Sequence, residues 1–410
     1  MVQWTGFSAG RREANQPVFN HPQLGSGLAF GPLDVPTIIA VDWLTDTKLV
    51  PRPKWQQRLS WLWWPWRRDR VVQVPSVPDM EALRRFIAER GVGYVVVDYS
   101  ILRQRRNVFA GHFTTDGRRV FAVFANGDVA AFDFQGKPAW ARSLGIPENS
   151  YGHASSPAMF ENRLLVQLDQ ASKKDRKSVF LALSAVDGKT LWRVGRDVPN
   201  SWTSPIVIRH AGRDQIITAA DPWVIAYNPA DGAELWRASV LRGDCGPSPI
   251  FAGGLVHVGN EYCYWSAIRP DGDGDVTETH IAWNAEDGLP DTCSPLATDK
   301  YVFLLATYGT LTCYDAKKGE LLWEQDFDAR FISSPGLSGN RVYLFGEVEE
   351  EDEEGNELTT CTAWIIEPGR EGCKIVGTCE LDEGCVTSPA FQDGRIYIRG
   401  KKHLFCIGNK

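Results

Sequence analysis

The sequence predicts an all-β fold: a β-propeller with seven recognisable four-stranded blades, seven or eight in the closed ring, preceded by a small α/β or irregular N-terminal segment. Three observations predict it. A Ser-Pro dipeptide recurs six times at nearly even spacing. Each copy is followed by short apolar runs, in several copies closed by a glycine turn. The composition of the 410 residues is rich in Gly (38), Pro (24) and Trp (16) but holds only 3 Met, which suits many short strands better than a helical bundle. With hydrophobic residues at 43% and charged residues at 23%, disorder of most of the chain is excluded.

Residues 1–109 do not repeat and form the first segment. The start, MVQWTGFSAGRR, has no basic stretch leading into an apolar one, so no export signal is read there, and no run of about eighteen uncharged apolar residues is long enough to span a bilayer. WQQRLSWLWWPWRRDR, within 55–70, sets Trp55, Trp61, Trp63, Trp64 and Trp66 beside Arg58, Arg67, Arg68 and Arg70. That interleaving suits either a lipid headgroup interface or packing against the propeller rim, and Pro65 breaks any long helix. Pro78 and Asp79 then open an amphipathic helix through Met80, Leu83, Phe86 and Ile87, closing at Gly91. VGYVVVDY follows as a buried strand, giving a small α/β unit.

The repeat occupies residues 110–410. The prolines of HASSPAMF, SWTSPIVI, CGPSPIFA, DTCSPLAT, FISSPGLS and CVTSPAFQ lie 48, 44, 46, 40 and 54 residues apart. A second strand follows each marker (RLLVQLD, DQIITAA, GLVHVGN, YVFLLAT, RVYLFGE, RIYIRGK). A third run ends in a D/N-x-x-x-G turn or a looser version of it, as in FLALSAVDGKTLW, WVIAYNPADGAELW, GTLTCYDAKKGELLW and VAAFDFQGKPAW. Trp140, Trp192, Trp236 and Trp323 then open a fourth strand and offer flat surfaces for docking on the neighbouring blade. The glycines after Asp187, Asp231 and Lys318 supply the positive φ of the turn. AGHFTTDGRRVFAVFANGDVAAF has the same layout without the marker and adds a leading blade. The last unit, ending LFCIGNK, has three strands, so its fourth is expected from the segment before residue 110.

Charge excludes one class of partner. Met1 to Arg118 holds sixteen Lys/Arg against ten Asp/Glu, whereas the rest of the chain is acidic, net −13, which argues against a phosphate-tracking nucleic-acid surface. All nine Cys lie at or beyond Cys245, with no CxxC, so a zinc knuckle is not expected, and free thiols or disulfides with one spare are both compatible. PDGDGDVTETH places Asp271, Asp273 and Asp275 at alternating positions, but Val276 and Ala282 stand where a calcium loop needs Gly and Glu. EVEEEDEEGNE, from Glu347 to Glu357, reads as a solvated extension of a hairpin.

The turn-and-Trp strings LALSAVDGKTLW and IAYNPADGAELW resemble the tryptophan-docking repeat of pyrroloquinoline-quinone-type (PQQ-like, quinoprotein-like) propellers, over about residues 110–409. Over some forty residues, about 70–110 resembles the soluble tail of membrane glycosyltransferases, without the donor-sugar site or membrane part that would carry that activity over. The propeller resemblance implies a seven- or eight-bladed ring in a superfamily that holds quinoprotein alcohol and glucose dehydrogenases, an outer-membrane assembly propeller and extracytoplasmic repeat proteins. It therefore implies a periplasmic or cell-envelope setting. A dehydrogenase of that kind would need calcium held by Glu, Asn and Asp beside the quinone, a catalytic Asp and often adjacent cysteines; no adjacent cysteines occur and no matching local motif places the triad.

The main reading is thus a non-enzymatic binding or assembly platform for a protein or small polar ligand, with no cofactor expected. The alternatives are a dehydrogenase using pyrroloquinoline quinone and calcium, and a propeller associated with a membrane interface and fused to a glycosyltransferase-like fragment. In an up-and-down blade, the loop entering each blade and the turn between its second and third strands share one face. The candidate channel mouth therefore gathers Tyr151, His153, Trp202, Asp244, Asp291, Arg330 and Glu383 from the first set, and Asp169, Asp221, Trp223, Asn260, Tyr262 and Tyr308 from the second. Tyr151, His153, Asp169, Trp202, Asp221, Asn260, Asp291 and Arg330 are the expected ligand contacts. Capping of turns and packing between blades are the competing roles for the same residues.

Overall fold

The computed structural model describes residues 111–149, 152–351, 357–392, 394–401 and 403–408, together with five short strands before residue 111. Strands within each blade are antiparallel and paired in chain order. Blade one is Gly111–Thr115, Arg119–Phe124, Asp128–Asp133 and Pro138–Ser143; blade two is Ala158–Phe160, Arg163–Leu168, Val179–Ser184 and Thr190–Gly195. Blade three is Ile206–His210, Arg213–Ala220, Trp223–Tyr227 and Glu234–Ser239; blade four is Ile250–Ala252, Leu255–Val258, Trp265–Ile268 and Ile281–Ala285. Blade five is Leu296–Ala297, Tyr301–Leu305, Thr310–Asp315 and Leu321–Asp326; blade six is Gly336–Ser338, Arg341–Glu351, Glu357–Pro368 and Cys373–Leu381. Blade seven is Ala390–Gln392, Arg395–Arg399 and Leu404–Gly408.

The sequences of the middle strands follow from their place in a ring. RLLVQL and VFLALS of blade two are buried almost throughout, because a blade is covered by a neighbour on each face and needs apolar residues on both. The outer strand TLWRVG exposes most of its residues and turns Trp192 inward. Six hydrophobic clusters bridge the successive blade pairs from one–two to six–seven. Phe113 of blade one and Phe391 of blade seven line the same central channel, which closes the ring.

The outer tryptophans hold neighbouring blades in register. The indole N–H of Trp140 donates to Ala185 O at 3.0 Å, Trp192 to Pro229 O at 3.1 Å, and Trp323 to Gly369 O at 2.9 Å, each acceptor lying in the turn between strands three and four of the next blade. Trp283, absent from the set read off the sequence, does the same to Ala316 O at 3.1 Å. The turn glycine lies under the ring. A Cβ on Gly188 would sit 2.5 Å from Trp140, on Gly232 2.7 Å from Trp192 and on Gly319 2.5 Å from Trp283, and all three glycines have positive φ. One glycine therefore meets two demands, a left-handed turn and room for an indole. Trp236 departs from the pattern: its N–H donates to Gln215 Oε1 at 2.7 Å within its own blade, and Gln215 Nε2 reaches Pro270 O of blade four at 2.7 Å.

One expectation changes. Blade seven keeps three strands, and among the described residues no strand pairs with the outer edge of Leu404–Gly408. The described strand nearest the chain start, Trp4–Thr5, pairs instead with the innermost strand of blade one, where the inner edge offers free hydrogen-bonding groups. The aspartate loop of blade four is a clasp: Gly274–Asp275 runs parallel to the outer strand of blade three, and Arg213 donates to Pro270 O, Gly272 O and Asp273 Oδ1. In blade six, strands of 11 and 12 residues carry the acidic hairpin outward, with residues 352–356 outside the described set. Before the ring, Ile38–Val41 lies parallel to Val71–Val74 and to Tyr94–Val96, the last within the VGYVVVDY run. The helix expected over 79–91 and the Trp/Arg stretch 55–70 fall outside the described residues.

Two glycine substitutions separate the turn's demands. Gly212 has φ +80° and open space around its Cα, whereas Gly232 has φ +76° and Trp192 overhead. Gly212→Ala is expected to lose about 1–2 kcal/mol from backbone strain alone. Gly232→Ala is expected to lose at least about 2 kcal/mol more, because a packed indole must shift. Urea unfolding reads the difference, and equal losses would mean that the Trp–Gly contact does not set the blade spacing.

Candidate functional site

Six of the seven blades enter the channel through Ser-Pro, and the dipeptide has a structural job. The proline has no N–H and holds the serine before it extended, so each serine's own N–H points sideways at the neighbouring blade, where no sheet partner exists. The next serine's hydroxyl accepts it. Ser156 N donates to Ser204 Oγ at 2.9 Å, Ser204 N to Ser248 Oγ at 2.9 Å, Ser248 N to Ser294 Oγ at 3.1 Å, Ser294 N to Ser334 Oγ at 2.9 Å and Ser334 N to Ser388 Oγ at 2.9 Å. In blade one, which lacks the dipeptide, His112 Nδ1 meets Ser156 Oγ at 3.2 Å. The result is a hydrogen-bonded girdle around the axis.

Beside the girdle lies a cavity of about 660 Å³ lined by all seven blades. Its wall is the six prolines, the girdle serines and inner-strand residues such as Phe113, Ile206, Ile250, Leu296, Leu337 and Phe391, with no charged side chain among the described residues. The residues do not fit pyrroloquinoline quinone with calcium. That ligand is a tricarboxylate, and neither a cation to meet it nor a carboxylate set to hold the metal lines this wall. Among the described residues no three His, Cys, Asp or Glu side chains are grouped to bind a metal.

The entry loops and the second-to-third-strand turns do share a face. Phe331 N donates to Thr307 O at 2.8 Å, and Asn260 Nδ2 donates to Arg242 O at 2.9 Å and Asp244 O at 2.8 Å, so each loop is tied to the turn beside it. Most of the expected ligand contacts are engaged in that tying. Asp169 is 1% exposed and takes both guanidinium arms of Arg196, at 2.7 and 3.1 Å, with Ser201 Oγ and Gln167 Nε2 each donating at 2.7 Å. Arg196 continues to Thr218 Oγ1 and Tyr227 OH, linking blades two and three. Burial works against its charge, but Asp169 and Tyr227 together raise its pKa above the ordinary value.

Asn260 is fully buried, its Oδ1 accepting from the Cys263 thiol at 2.9 Å. Asp291, half-buried, accepts from the Thr307 and Thr292 hydroxyls. The Trp202 indole donates to Gly152 O at 3.1 Å, and Asp221 sits half-buried before the cis peptide to Pro222. Tyr151 lies outside the described residues. Exposed on the same face are Arg330, whose backbone pairs with Glu347 in both directions, and Tyr262, Tyr264 and Tyr308, the last 73% exposed. Tyr264 is an addition to the sequence set; its spacing of two from Tyr262 in NEYCYW was the available signal.

His153 points inward. It is 2% exposed, neither ring nitrogen has a hydrogen-bond partner among the described residues, and it meets His112 edge to face at 6.2 Å. Burial lowers the pKa of His112 to about 3, with the His153 ring adding to the effect, and that of His153 to about 4.

Comparison with known proteins agrees with this geometry. The family model described as outer membrane protein assembly factor BamB matches residues 96–260, 175–291 and 220–363, together more than half of the chain. The outer membrane protein assembly factor BamB of Yersinia pestis is 26% identical over 243 residues, 56% of this chain and 59% of the relative. The BamB of Escherichia coli strain K12 is 25% identical over 263 residues, 50% of this chain and 64% of the relative. The chain thus spans under two thirds of the length of each of these two relatives. The solved structure of BamB from Moraxella catarrhalis shares the fold, with a TM-score of 0.51 at 16% identity over 70% of this chain and 80% of that one.

The histidine pair makes the ring acid-sensitive in a defined direction. Unfolded, both rings take up a proton near pH 6.5; folded, they stay neutral down to about 4 and 3, so the unfolded state binds more protons in that window and stability falls as pH falls below 6.5. At pH 5 the expected loss is roughly 2 kcal/mol for each ring. Urea midpoints at pH 7 and pH 5 read it, and the drop between them should shrink in the double variant His112→Asn, His153→Asn. An undiminished drop would assign acid sensitivity to other groups.

Proposed function

Because the chain belongs to the family described as outer membrane protein assembly factor BamB, we propose that it is a non-enzymatic assembly platform of the cell envelope that binds a protein partner through the loop face of its propeller. The observation carrying this reading is the division of labour on that face. Its buried polar groups, Asp169, Asn260 and His153 among them, are turned inward or engaged within and between blades, while Tyr262, Tyr264 and Tyr308 on the loops of blades four and five and Arg330 on the loop entering blade six remain exposed. Tyrosine and arginine are the residue types that anchor protein interfaces: a large ring or guanidinium gives contact area and a hydrogen-bonding tip. Rigid blades hold the loops, so little ordering opposes binding. The acidic balance of the repeat favours a partner with a basic contact surface.

In the same proposal the uncharged channel takes no quinone, and the partner supplies any chemistry. A peripheral contact of residues 55–70 with lipid headgroups rests on the Trp/Arg composition of that stretch.

Capture from envelope extracts tests the loop face. The tagged chain should retain a protein partner that the triple variant Tyr264→Ser, Tyr308→Ser, Arg330→Ala loses by at least tenfold, with the thermal midpoint unchanged because all three side chains are exposed. Equal capture by both chains would remove the loop face from the reading. Saturable binding of pyrroloquinoline quinone with calcium by calorimetry would replace the platform with an enzyme.

A further inference from the structure

The propeller is acidic, but not everywhere. After Arg118 the chain is net −13, yet the turn between the second and third strands of blade two reads QASKKDRKS, with Lys173, Lys174, Arg176 and Lys177 against a single acid, Asp175. All five side chains are exposed. Lys177 pairs with Glu148 of the loop entering blade two, and Asp175 turns back to accept from the Ser172 amide at 3.1 Å and hydroxyl at 2.6 Å. Among the described residues, Lys173, Lys174 and Arg176 enter no ion pair.

The turn holds these cations away from the blade. Gln170 N donates to Ser178 Oγ at 2.9 Å and Ser178 Oγ donates to Val198 O at 2.8 Å, which fixes both ends of the turn. Between them a short 3₁₀ turn spans Lys173–Asp175, and Arg176 at φ +51° reverses the chain. Beside it lies the tip Gly145-Ile146-Pro147 of the blade-two entry loop. The two are cross-bonded: Ala171 N donates to Glu148 O at 2.6 Å, and Glu148 N donates to Gln170 Oε1 at 3.1 Å. Ile146 is 82% exposed, the most exposed large apolar side chain among the described residues.

We propose that this corner of the loop face, the basic turn with Ile146 beside it, docks on an anionic lipid surface. Three of the four cations are lysines, ammonium groups on flexible stems that suit laterally mobile phosphates, whereas lysine is depleted where two proteins meet in fixed register. An aliphatic side chain raised beside cations is the composition of a headgroup-boundary anchor: the apolar tip enters the acyl boundary while the ammonium groups stay with the phosphates. Because tip and turn are bonded to each other, both reach the surface in one orientation with little further ordering. Docking here does not require the tyrosines of blades four and five, which stand on other loops.

The test uses the full chain and phosphatidylcholine vesicles with or without phosphatidylglycerol. At low salt the chain should float with the anionic vesicles. The variant Lys173→Glu, Lys174→Glu, Arg176→Glu should lower the partition coefficient at least about tenfold, and Ile146→Ser about fivefold, with thermal midpoints unchanged because all four side chains are exposed. Residues 55–70 are common to every chain, so acetylation of amines supplies the local readout. Anionic vesicles should shield Lys173 and Lys174 while Lys317 and Lys318, exposed in the turn between strands three and four of blade five on the other face, keep reacting. Vesicles of phosphatidylcholine alone and free glycerol phosphate should shield neither pair. The variant Tyr264→Ser, Tyr308→Ser, Arg330→Ala should float as the parent chain does, which separates vesicle binding from partner capture. Lys173 and Lys174 that stay as reactive as Lys317 on anionic vesicles overturn the proposal. So does full flotation of Ile146→Ser together with stronger shielding by polyglutamate than by vesicles, which would make the corner a site for an acidic protein.

Discussion

A four-stranded sheet that is apolar on both faces cannot exist alone in water, and the other features of this chain answer that constraint. Each blade must be covered twice, so the blades close on themselves, and closure creates two problems of registration. At the circumference, neighbouring sheets diverge and need a wedge with a fixed seat. The indole of strand four is the wedge, and the seat is the carbonyl and glycine of the next blade's turn. At the axis, inner strands end too close together to pair and would strand their amides. The serine hydroxyls take those amides, one blade to the next. Hydrophobic clusters fill the space between the two rings.

This division explains why the loop face looks richer in chemistry along the sequence than in space. Asp169 and Asn260 sit at strand ends, where a ligand contact and a structural tie need the same residue types. The ring resolves the ambiguity, because those positions lie between blades and are buried, and a buried carboxylate needs its own counter-charge and donors. Arg196, from the outer strand of blade two, supplies them for Asp169. With the polar groups so engaged, the side chains that stand clear on this face are Tyr262, Tyr264, Tyr308 and Arg330.

Much of the fold was legible because its signals are local. The near-even Ser-Pro period, the glycine turn and the following Trp lie within one blade's sequence, and their seats repeat at the same period. Trp283 escaped because the clasp 271–280 separates it from the third strand of its blade. Trp236 was recognised, but its reach through Gln215 to Pro270 O depends on a residue two strands away. The girdle was visible only as a marker: a serine's partner 40 to 54 residues on is invisible until the ring closes. His153 looked like a ligand for the same reason, since nothing in HASSPAMF says that His112, forty-one positions earlier, meets it edge to face.

The same logic locates where such a ring is least self-sufficient. Junctions from blade two to blade six have a Ser-Pro on both sides, and three of the four have an indole bonded across them. The junctions flanking closure do not: blade one replaces the dipeptide with His112, blade seven has three strands, and the outer strand of blade six, CKIVGTCEL, carries no indole. At the blade-one joint lies a buried imidazole pair, His112 meeting His153 edge to face. The pair adjoins the girdle, since His153 precedes Pro157 by four residues. A proton on His112 would bear directly on the girdle serine Ser156, whose hydroxyl it meets. The equivalent position is filled differently in other blades: Ser201 donates to Asp169, Asp291 accepts from Thr307, and Phe331 packs between blades five and six. The position four residues before each girdle proline therefore carries what its own junction requires, hydrogen bonding in some blades and packing in others.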